Sequence, residues 1–187
     1  MLIKKINIKD TPFSSGLVRD YIESDKLNSF FSYKNQLDNY KNIIKKRSSF
    51  PIKKRDLLYN VLNSQYNGIS DIGSVLDSIE KLKNKNTFTV TTGHQLCLNT
   101  GPLYFIYKIL HTIKLCVELS KTYKEFNFIP VFWMASEDHD FEEIKSFETY
   151  SNKYQIASSD DGSCTGKIKP LYVTCLLYTS PSPRDDV

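Results

Sequence analysis

A pattern of strand, loop, helix and strand over residues 87–144 constrains the fold of this chain more than any other feature of its sequence. Residues 87–92 are aromatic or β-branched, which favours a strand, and Gly93 is predicted to end it. A long helix is predicted from about Pro102 onward. Residues 128–134 then form a short, almost wholly apolar run, as expected for a strand that is covered on both faces. The pattern predicts a βαβ unit within a parallel sheet.

The helix predicted after Pro102 is amphipathic and has a wide apolar face. Apolar residues recur along it at helical spacing, namely Leu103, Ile106, Tyr107, Leu110, Ile113 and Val117. Positions between them carry charged or histidine side chains, such as Lys108 and His111. A helix with this pattern turns its apolar face toward a core, so we expect that face to be buried and His111 to be solvated.

Polar residues follow both predicted strands, at the point where each strand ends. The first loop is Gly-His-Gln at residues 93–95, and the second is Glu-Asp-His-Asp at residues 137–140. A right-handed crossover brings both loops to the carboxyl edge of the sheet, where open α/β sheets bind ligands. Residues 100–102 supply a helix start with Thr100 as the candidate cap, and its free amides favour a phosphate or carboxylate. We therefore expect the two loops and the helix start to surround one site.

Three long motifs occur in order within this segment, namely GHQ at residues 93–95, TGPLYxxYK at residues 100–108 and EDHDFxEI at residues 137–144. On these motifs, the chain up to about residue 169 resembles the cysteine-adding enzymes of bacillithiol biosynthesis. The resemblance implies a cysteine ligase that adds cysteine to the amine of glucosaminyl-malate, in the last step of making a low-molecular-weight thiol. It also implies a longer chain that forms a homodimer through a segment missing here.

The expected fold class is α/β. The resemblance implies the N-terminal part of a Rossmann-like parallel-sheet core, similar to that of nucleotidyltransferases, and the elements before it are predicted to be mainly helical. Helices are predicted over residues 39–46, 56–66 and 72–82, and a short opening strand over residues 1–8. Asp71 is a candidate cap for the third helix, and residues 147–156 are predicted to form one more strand or a hairpin.

The last stretch, residues 175–187, differs in kind from the rest. It is rich in proline and serine, continues no predicted element and looks like translated adapter sequence. We therefore assign residues 1–174 to a partial Rossmann-like ligase core and residues 175–187 to a non-native or disordered tail. A natural disordered tail is the alternative. We expect the chain to be a truncated fragment that lacks ligase activity by itself.

The polar loops supply candidates for the chemistry that amide formation needs, namely proton transfer and stabilisation of charge on oxygen. The candidates for accepting the proton of the sugar ammonium are Asp138, His139, Asp140 and His94. The candidates for holding substrate are Gly93, Gln95, Thr100, Gly101, Lys108 and Glu137. The Glu142–Glu143 pair is expected only to complement the dipole of a helix start. Fold analogy alone suggests ATP as the activating cofactor.

Two hypotheses from other classes remain open at this stage. The first is a metal-dependent hydrolase with His94, Asp138, His139 and Asp140 as ligands, since histidine and carboxylate suit zinc or manganese. Adjacent residues rarely all reach one metal and no H-E-x-x-H helix is present, so we expect no metal. The second is a non-catalytic module that binds ligand in the same pocket.

Composition and charge bear on partners and compartment. The net charge of +4 is modest, and although basic residues cluster between positions 34 and 55, no aromatic stacking motif accompanies them. We expect no nucleic-acid partner. No apolar run approaches the ~20 residues that span a membrane. The four cysteines show no C-x-x-C spacing, so we expect reduced thiols in a cytoplasmic protein, with Cys116 as a core residue.

Overall fold

The computed structural model describes residues 4–12, 14–95, 97, 100–148, 153–155 and 161–167. The chain divides into two compact units, residues 1–51 and residues 52–187. The described helices of the first unit are α1 (Gly16–Glu23) and α2 (Tyr40–Arg47). Those of the second are α3 (Ile52–Gln65), α4 (Gly73–Lys81), α5 (Leu103–Thr122) and α6 (Phe141–Ile144). The described strands, all in the second unit, are β1 (Thr87–His94), β2 (Asn127–Met134), β3 (Ser146–Glu148) and β4 (Lys153–Gln155).

The first unit does not begin with the predicted strand. Residues 4–7 are irregular and Ile8–Asp10 is a 3-10 turn, while residues 1–3 lie outside the described residues. The side-chain oxygen of Asn7 accepts a hydrogen bond from the backbone N–H of Lys9 at 3.2 Å, and the carbonyl of Ile8 accepts one from the Ser14 hydroxyl at 3.0 Å. These local bonds use backbone groups that a strand would need for pairing, so the strand prediction is wrong here.

The predicted helices are confirmed as α2, α3 and α4, and α3 begins four residues earlier than expected. The capping prediction for α4 is wrong, because Asp71 does not cap it. Asp71 has a left-handed backbone with φ of 58°, which aspartate tolerates, and the N-cap position falls on Ile72 without any side-chain hydrogen bond. The chain thus enters α4 through a turn one residue later than the sequence indicated.

The predicted βαβ unit is confirmed, and it forms the sheet on which the site stands. Strands β1 and β2 pair in parallel, with Thr87 opposite Asn127 and His94 opposite Met134. Helix α5 connects them and contacts both. Strand β1 continues through His94, so Gly93 lies inside the strand and does not end it. The glycine is needed there, because a Cβ atom would lie 2.7 Å from the carbonyl oxygen of Trp133.

The face that α5 turns to the sheet is not the predicted one. Its buried residues are Thr112, Cys116 and Leu119, which confirms Cys116 as a core residue. Of the predicted apolar face, Ile106 is half-buried, whereas the others are 45–66% exposed, namely Leu103, Tyr107, Leu110, Ile113 and Val117. Helix α5 is apolar around most of its circumference, so spacing alone could not select the buried side. His111 is exposed, as predicted.

Strand β2 is also less covered than its apolar sequence indicated. Ile129 is buried, but Trp133 is 60% exposed and Met134 is 57% exposed. Within the described residues, α5 lies against the β1–β2 sheet and these two side chains remain open. The prediction of a strand covered on both faces is therefore wrong for this part of the chain. An apolar run is compatible with a strand covered on one face or on both, since the run itself does not show which neighbours are present.

Two smaller elements follow the sheet. Strands β3 and β4 form an antiparallel hairpin, as predicted for residues 147–156, and the rings of Phe147 and Tyr154 stack with centroids 5.1 Å apart. The tail assigned to residues 175–187 lies outside the described residues. No helix in the described ranges has the length and apolar character of a membrane span.

Arg55 joins α3 to the start of β1. It belongs to the basic cluster between positions 34 and 55, but its side chain is buried and not solvated. Its guanidinium donates hydrogen bonds to the carbonyls of Leu82 at 3.1 Å and Thr87 at 3.0 Å, and to that of Lys85 at 3.4 Å. The contacts satisfy carbonyls of the connector between α4 and β1, and they fix where the strand begins.

We expect Arg55→Met to lower the free energy of unfolding by about 3 kcal/mol, because buried carbonyls lose charge-assisted donors. The measurement is denaturant unfolding followed by circular dichroism. Lys54→Met is the matched control, since Lys54 is the neighbouring residue of α3 and is exposed. Equal stability of the two variants would contradict a structural role for Arg55.

Candidate functional site

The two polar loops meet at the carboxyl edge of the sheet. The side-chain amide of Gln95 donates a hydrogen bond to the backbone carbonyl of Asp140 at 3.2 Å and another to the carboxylate of Glu143. The backbone N–H of Ala135 donates to the carbonyl of His94 at 3.0 Å, so the pairing of β1 with β2 continues into the loops. The prediction that the crossover brings these loops together is confirmed.

The carboxylate of Glu143, in the first turn of α6, is the centre of a hydrogen-bond network. Tyr104 of α5 donates its hydroxyl to Oε1 at 2.7 Å, and Nε2 of His94 lies 3.2 Å from the same oxygen. The hydrogen bond from Tyr104 and that from Gln95 hold the pKa of Glu143 below its ordinary value. Glu143 therefore carries a negative charge at neutral pH.

The pKa of Tyr104 is shifted in the opposite direction, upward. Its hydroxyl donates to an ionised carboxylate, and this bond, with burial and the charge of Glu143, raises the pKa of Tyr104 to about 12. The hydroxyl is also 2.8 Å from Nε2 of His94. Since the single hydroxyl hydrogen points to Glu143, the oxygen can accept a hydrogen bond from the His94 ring.

His94 and Gln95 are buried beneath this network. The side chain of His94 is only 6% exposed, and its ring packs edge-on against Phe105 with centroids 5.7 Å apart. Its Nδ1 lies 3.1 Å from the carbonyl of Gln95 and 3.2 Å from the thiol of Cys97. Burial is the main cause that raises the pKa of the Cys97 thiol, and the negative charge of Glu143 adds to it. The thiol is therefore protonated at neutral pH.

The start of α5 differs from the prediction. The N-cap position is Pro102, which has no side-chain hydrogen bond, and Thr100 is not the cap. Thr100 and Gly101 both have left-handed backbones, with φ of 68° and 61°, which turn the chain before the helix begins. A Cβ atom at Gly101 would lie 2.6 Å from that of Cys97, so glycine is needed where residue 101 approaches Cys97.

The second loop uses both of its aspartates to hold its own backbone. One carboxylate oxygen of Asp138 accepts the N–H groups of His139 at 2.7 Å and Asp140 at 3.1 Å. Asp140 caps α6 by accepting the N–H of Glu143 at 3.2 Å. Glu137 accepts a hydrogen bond from the indole of Trp133 at 3.1 Å, and His139 is exposed. The catalytic roles of Asp138, His139 and Asp140 remain predictions.

Lys108 lies on the same side of α5 as Tyr104, one helical turn further on. Its ammonium donates a hydrogen bond to the carbonyl of Gly93 at 3.2 Å and lies 5.3 Å from the centroid of the Tyr104 ring. The ammonium of Lys108 therefore lies near the end of β1, and its role in holding substrate remains a prediction.

Sequence reasoning missed Tyr104 and assigned Glu143 only to the helix dipole. Two signals could have found them. Tyr104 precedes Lys108 by four residues, which places both on one helix face. Asp140 and Glu143 have the spacing of a capping box, which marks Asp140 as the start of α6 and Glu143 as a residue of its first turn.

The sheet, the crossover helix and the polar edge define a Rossmann-like α/β protein. The family model described as "Bacillithiol biosynthesis BshC, N-terminal Rossmann-like domain" matches residues 1–174. The chain belongs to this family. Within the described residues, no group of three or more His, Cys, Asp or Glu side chains could hold a metal ion.

Curated relatives carry the name "Putative cysteine ligase BshC". The chain is 42% identical over 159 residues to that of Flavobacterium johnsoniae, which covers 84% of this chain and 30% of the relative. It is 39% identical over 178 residues to that of Cytophaga hutchinsonii, covering 95% and 34%, and 32% identical over 155 residues to that of Bacillus cereus, covering 82% and 28%. The chain therefore spans about a third of the length of the curated relatives it matches.

We expect Glu143→Gln to lower the pKa of Tyr104 from about 12 toward its ordinary value of 10.0, because the hydroxyl loses its ionised acceptor. In the unaltered chain, the raised pKa of Tyr104 contributes to the free energy of unfolding. This contribution is fully present below pH 10 and is lost as the pH rises toward 12. Tyrosine NMR titration gives the pKa, with the Tyr104 signal assigned by its loss in Tyr104→Phe. Glu142→Gln, which removes a carboxylate bound to Lys145, should change nothing. An unchanged Tyr104 titration in Glu143→Gln would show that the contact is absent in solution.

Proposed function

We propose that this chain supplies part of the active site of a cysteine ligase, which joins the carboxyl of cysteine to the amine of glucosaminyl-malate in bacillithiol biosynthesis. The observation that carries the proposal is the contact of Gln95 with Asp140 and Glu143, because it unites two motifs of a family whose relatives are named as cysteine ligases. Small molecules are the proposed substrates, and a metal-dependent hydrolase is not favoured by the family comparison.

The residues present fit the requirements of amide formation. The amine of the sugar must lose a proton, and Asp138, His139 and Asp140 lie at the loop beside the sheet edge. An ionised Glu143 and the ammonium of Lys108 supply opposite charges at the same edge. Gln95, which is buried, orients Glu143 through a hydrogen bond, and the buried His94 contacts the Tyr104 hydroxyl that donates to the same carboxylate.

ATP is the co-substrate that fold analogy suggests for activating the carboxyl. The start of α5 fits an anionic group, since Pro102 provides no side-chain cap for the first amides of a 20-residue helix. When bound, ATP would supply the phosphoryl or adenylyl group with which a carboxyl oxygen of cysteine leaves as the amine attacks. We also propose that the longer relatives act as homodimers in the cytoplasm, through parts of the chain beyond this sequence.

We expect a chimera that joins residues 1–167 to the remaining part of the Flavobacterium johnsoniae relative to form bacillithiol, and residues 1–187 alone to form none. Product formation from cysteine and glucosaminyl-malate is followed by thiol labelling, with and without ATP. The chimera without glucosaminyl-malate is the blank. A well-folded chimera that forms no bacillithiol would contradict the proposed ligase function. Full activity of residues 1–187 alone would contradict the proposal that this chain supplies only part of the active site.

We expect the double change Asp138→Asn and His139→Gln to lower the turnover of the chimera by about 10²–10⁴-fold, the usual contribution of general acid or base catalysis. Asparagine keeps the oxygen that accepts the two loop amides, and His139 is exposed, so the fold should persist. Glu142→Gln is the matched control on α6. Full activity of the double variant would make these residues structural and direct attention to Glu143.

A further inference from the structure

Three side chains form an exposed polar surface above the buried pair His94 and Gln95. We call this the Lys108–Glu143 surface, and it comprises Lys108, Tyr104 and Glu143. Lys108 is exposed, Tyr104 is 45% exposed and the side chain of Glu143 is 36% exposed. His94 and Gln95 are buried, so they can act on a substrate only through the residues above them.

The surface presents two opposite charges that do not neutralise each other. In the described ranges, no ion pair within 4.0 Å joins Lys108 to Glu143. The ammonium of Lys108 has three N–H donors, and its hydrogen bond to the carbonyl of Gly93 uses one. The carboxylate of Glu143 offers about four lone-pair sites, of which the hydrogen bonds from Tyr104 and Gln95 take two. Each charge therefore keeps capacity for a ligand.

The network beneath holds these charges in place before any ligand arrives. Glu143 is fixed by contacts from β1 and α5, and Tyr104 is fixed by its hydroxyl at 2.7 Å from Glu143. The ring of Tyr104 in turn lies 5.3 Å from the ammonium of Lys108. A preorganised pair of opposite charges binds with less loss of side-chain freedom than two mobile ones.

We propose that the Lys108–Glu143 surface binds the zwitterion of an α-amino acid, with the ligand ammonium on Glu143 and the ligand carboxylate on Lys108. This inference rests on the proposed function, in which the amino acid is cysteine. Both charged groups of an α-amino acid are attached to one carbon, and each makes charge-assisted hydrogen bonds of about 2.8 Å. Such a ligand therefore carries one partner for each of the two protein charges. The acceptor amine would then approach from the loop of residues 137–140.

Charge matching separates this ligand from others. A simple amine would leave the charge of Lys108 unpaired, and a dicarboxylate such as malate would place like charge against Glu143. An amino sugar with a distant carboxylate shares the same groups but holds them further apart. We therefore expect the surface to distinguish ligands by whether they carry both charges.

The test measures ligand binding to this chain without turnover, by ¹H–¹⁵N NMR under reducing conditions. L-Cysteine should shift the amides near Lys108 and Glu143. Cysteamine, which lacks the carboxylate, and 3-mercaptopropionate, which lacks the ammonium, should bind at least about tenfold more weakly, as expected for loss of a charge-assisted contact. Glucosamine and malate should also be weak. Binding of cysteamine or 3-mercaptopropionate as tight as that of cysteine would overturn the proposal, as would no cysteine binding.

Variants give a second, independent measurement. Glu143→Gln and Lys108→Met should each weaken cysteine binding at least about tenfold. The matched controls Glu142→Gln and Lys114→Met remove charges of the same helices that pair with Lys145 and Glu118, and they should bind as the unaltered chain does. If Glu143→Gln does not fold, Lys108→Met and the ligand series still test whether the surface binds the zwitterion.

The outcomes also separate this inference from the proposed function. Cysteine binding that depends on both charges, with no product from the chimera, would refute the ligase and keep the zwitterion site. Product formation by the chimera, with cysteine binding unaffected by Lys108→Met and Glu143→Gln, would refute the zwitterion site and keep the ligase.

Discussion

The parallel pairing of β1 with β2 is the interaction on which the rest of the second unit depends. Parallel strands need a long crossover, and α5 is that crossover, so the pairing decides where the helix lies. It also delivers both polar loops to one edge. The pairing is close at Gly93, where a side chain would meet the carbonyl of Trp133. Arg55 fixes the other end of β1 by binding the carbonyl of Thr87.

The polar edge is organised from the inside outward. His94 ends β1 and Gln95 follows it, both are buried, and the side-chain amide of Gln95 donates a hydrogen bond to Glu143 of α6. That carboxylate then orders the exposed Tyr104. Burying a polar group costs free energy unless the group is hydrogen-bonded, so each buried side chain of the network needs a partner. The exposed members, by contrast, keep donors and acceptors for a ligand.

The sequence predicted the topology well because topology follows from short local rules. The βαβ unit, its parallel strands and the meeting of the two loops all follow from periodicity and the handedness of crossovers. The buried face of α5 could not be predicted, because apolar residues surround most of that helix. Thr100 failed as a cap because two left-handed residues shift the helix start to Leu103, and backbone φ values cannot be derived from spacing. Glu143 was missed because its partners are distant in sequence.

The exposed apolar side of α5 has a consequence for how this sequence tolerates change. Residues such as Leu110 and Val117 are about half exposed, so within the described residues their burial contributes little to folding. Polar substitutions there would break few of the contacts that the described residues make. The packing of the described residues therefore does not account for the apolar character of this side of α5.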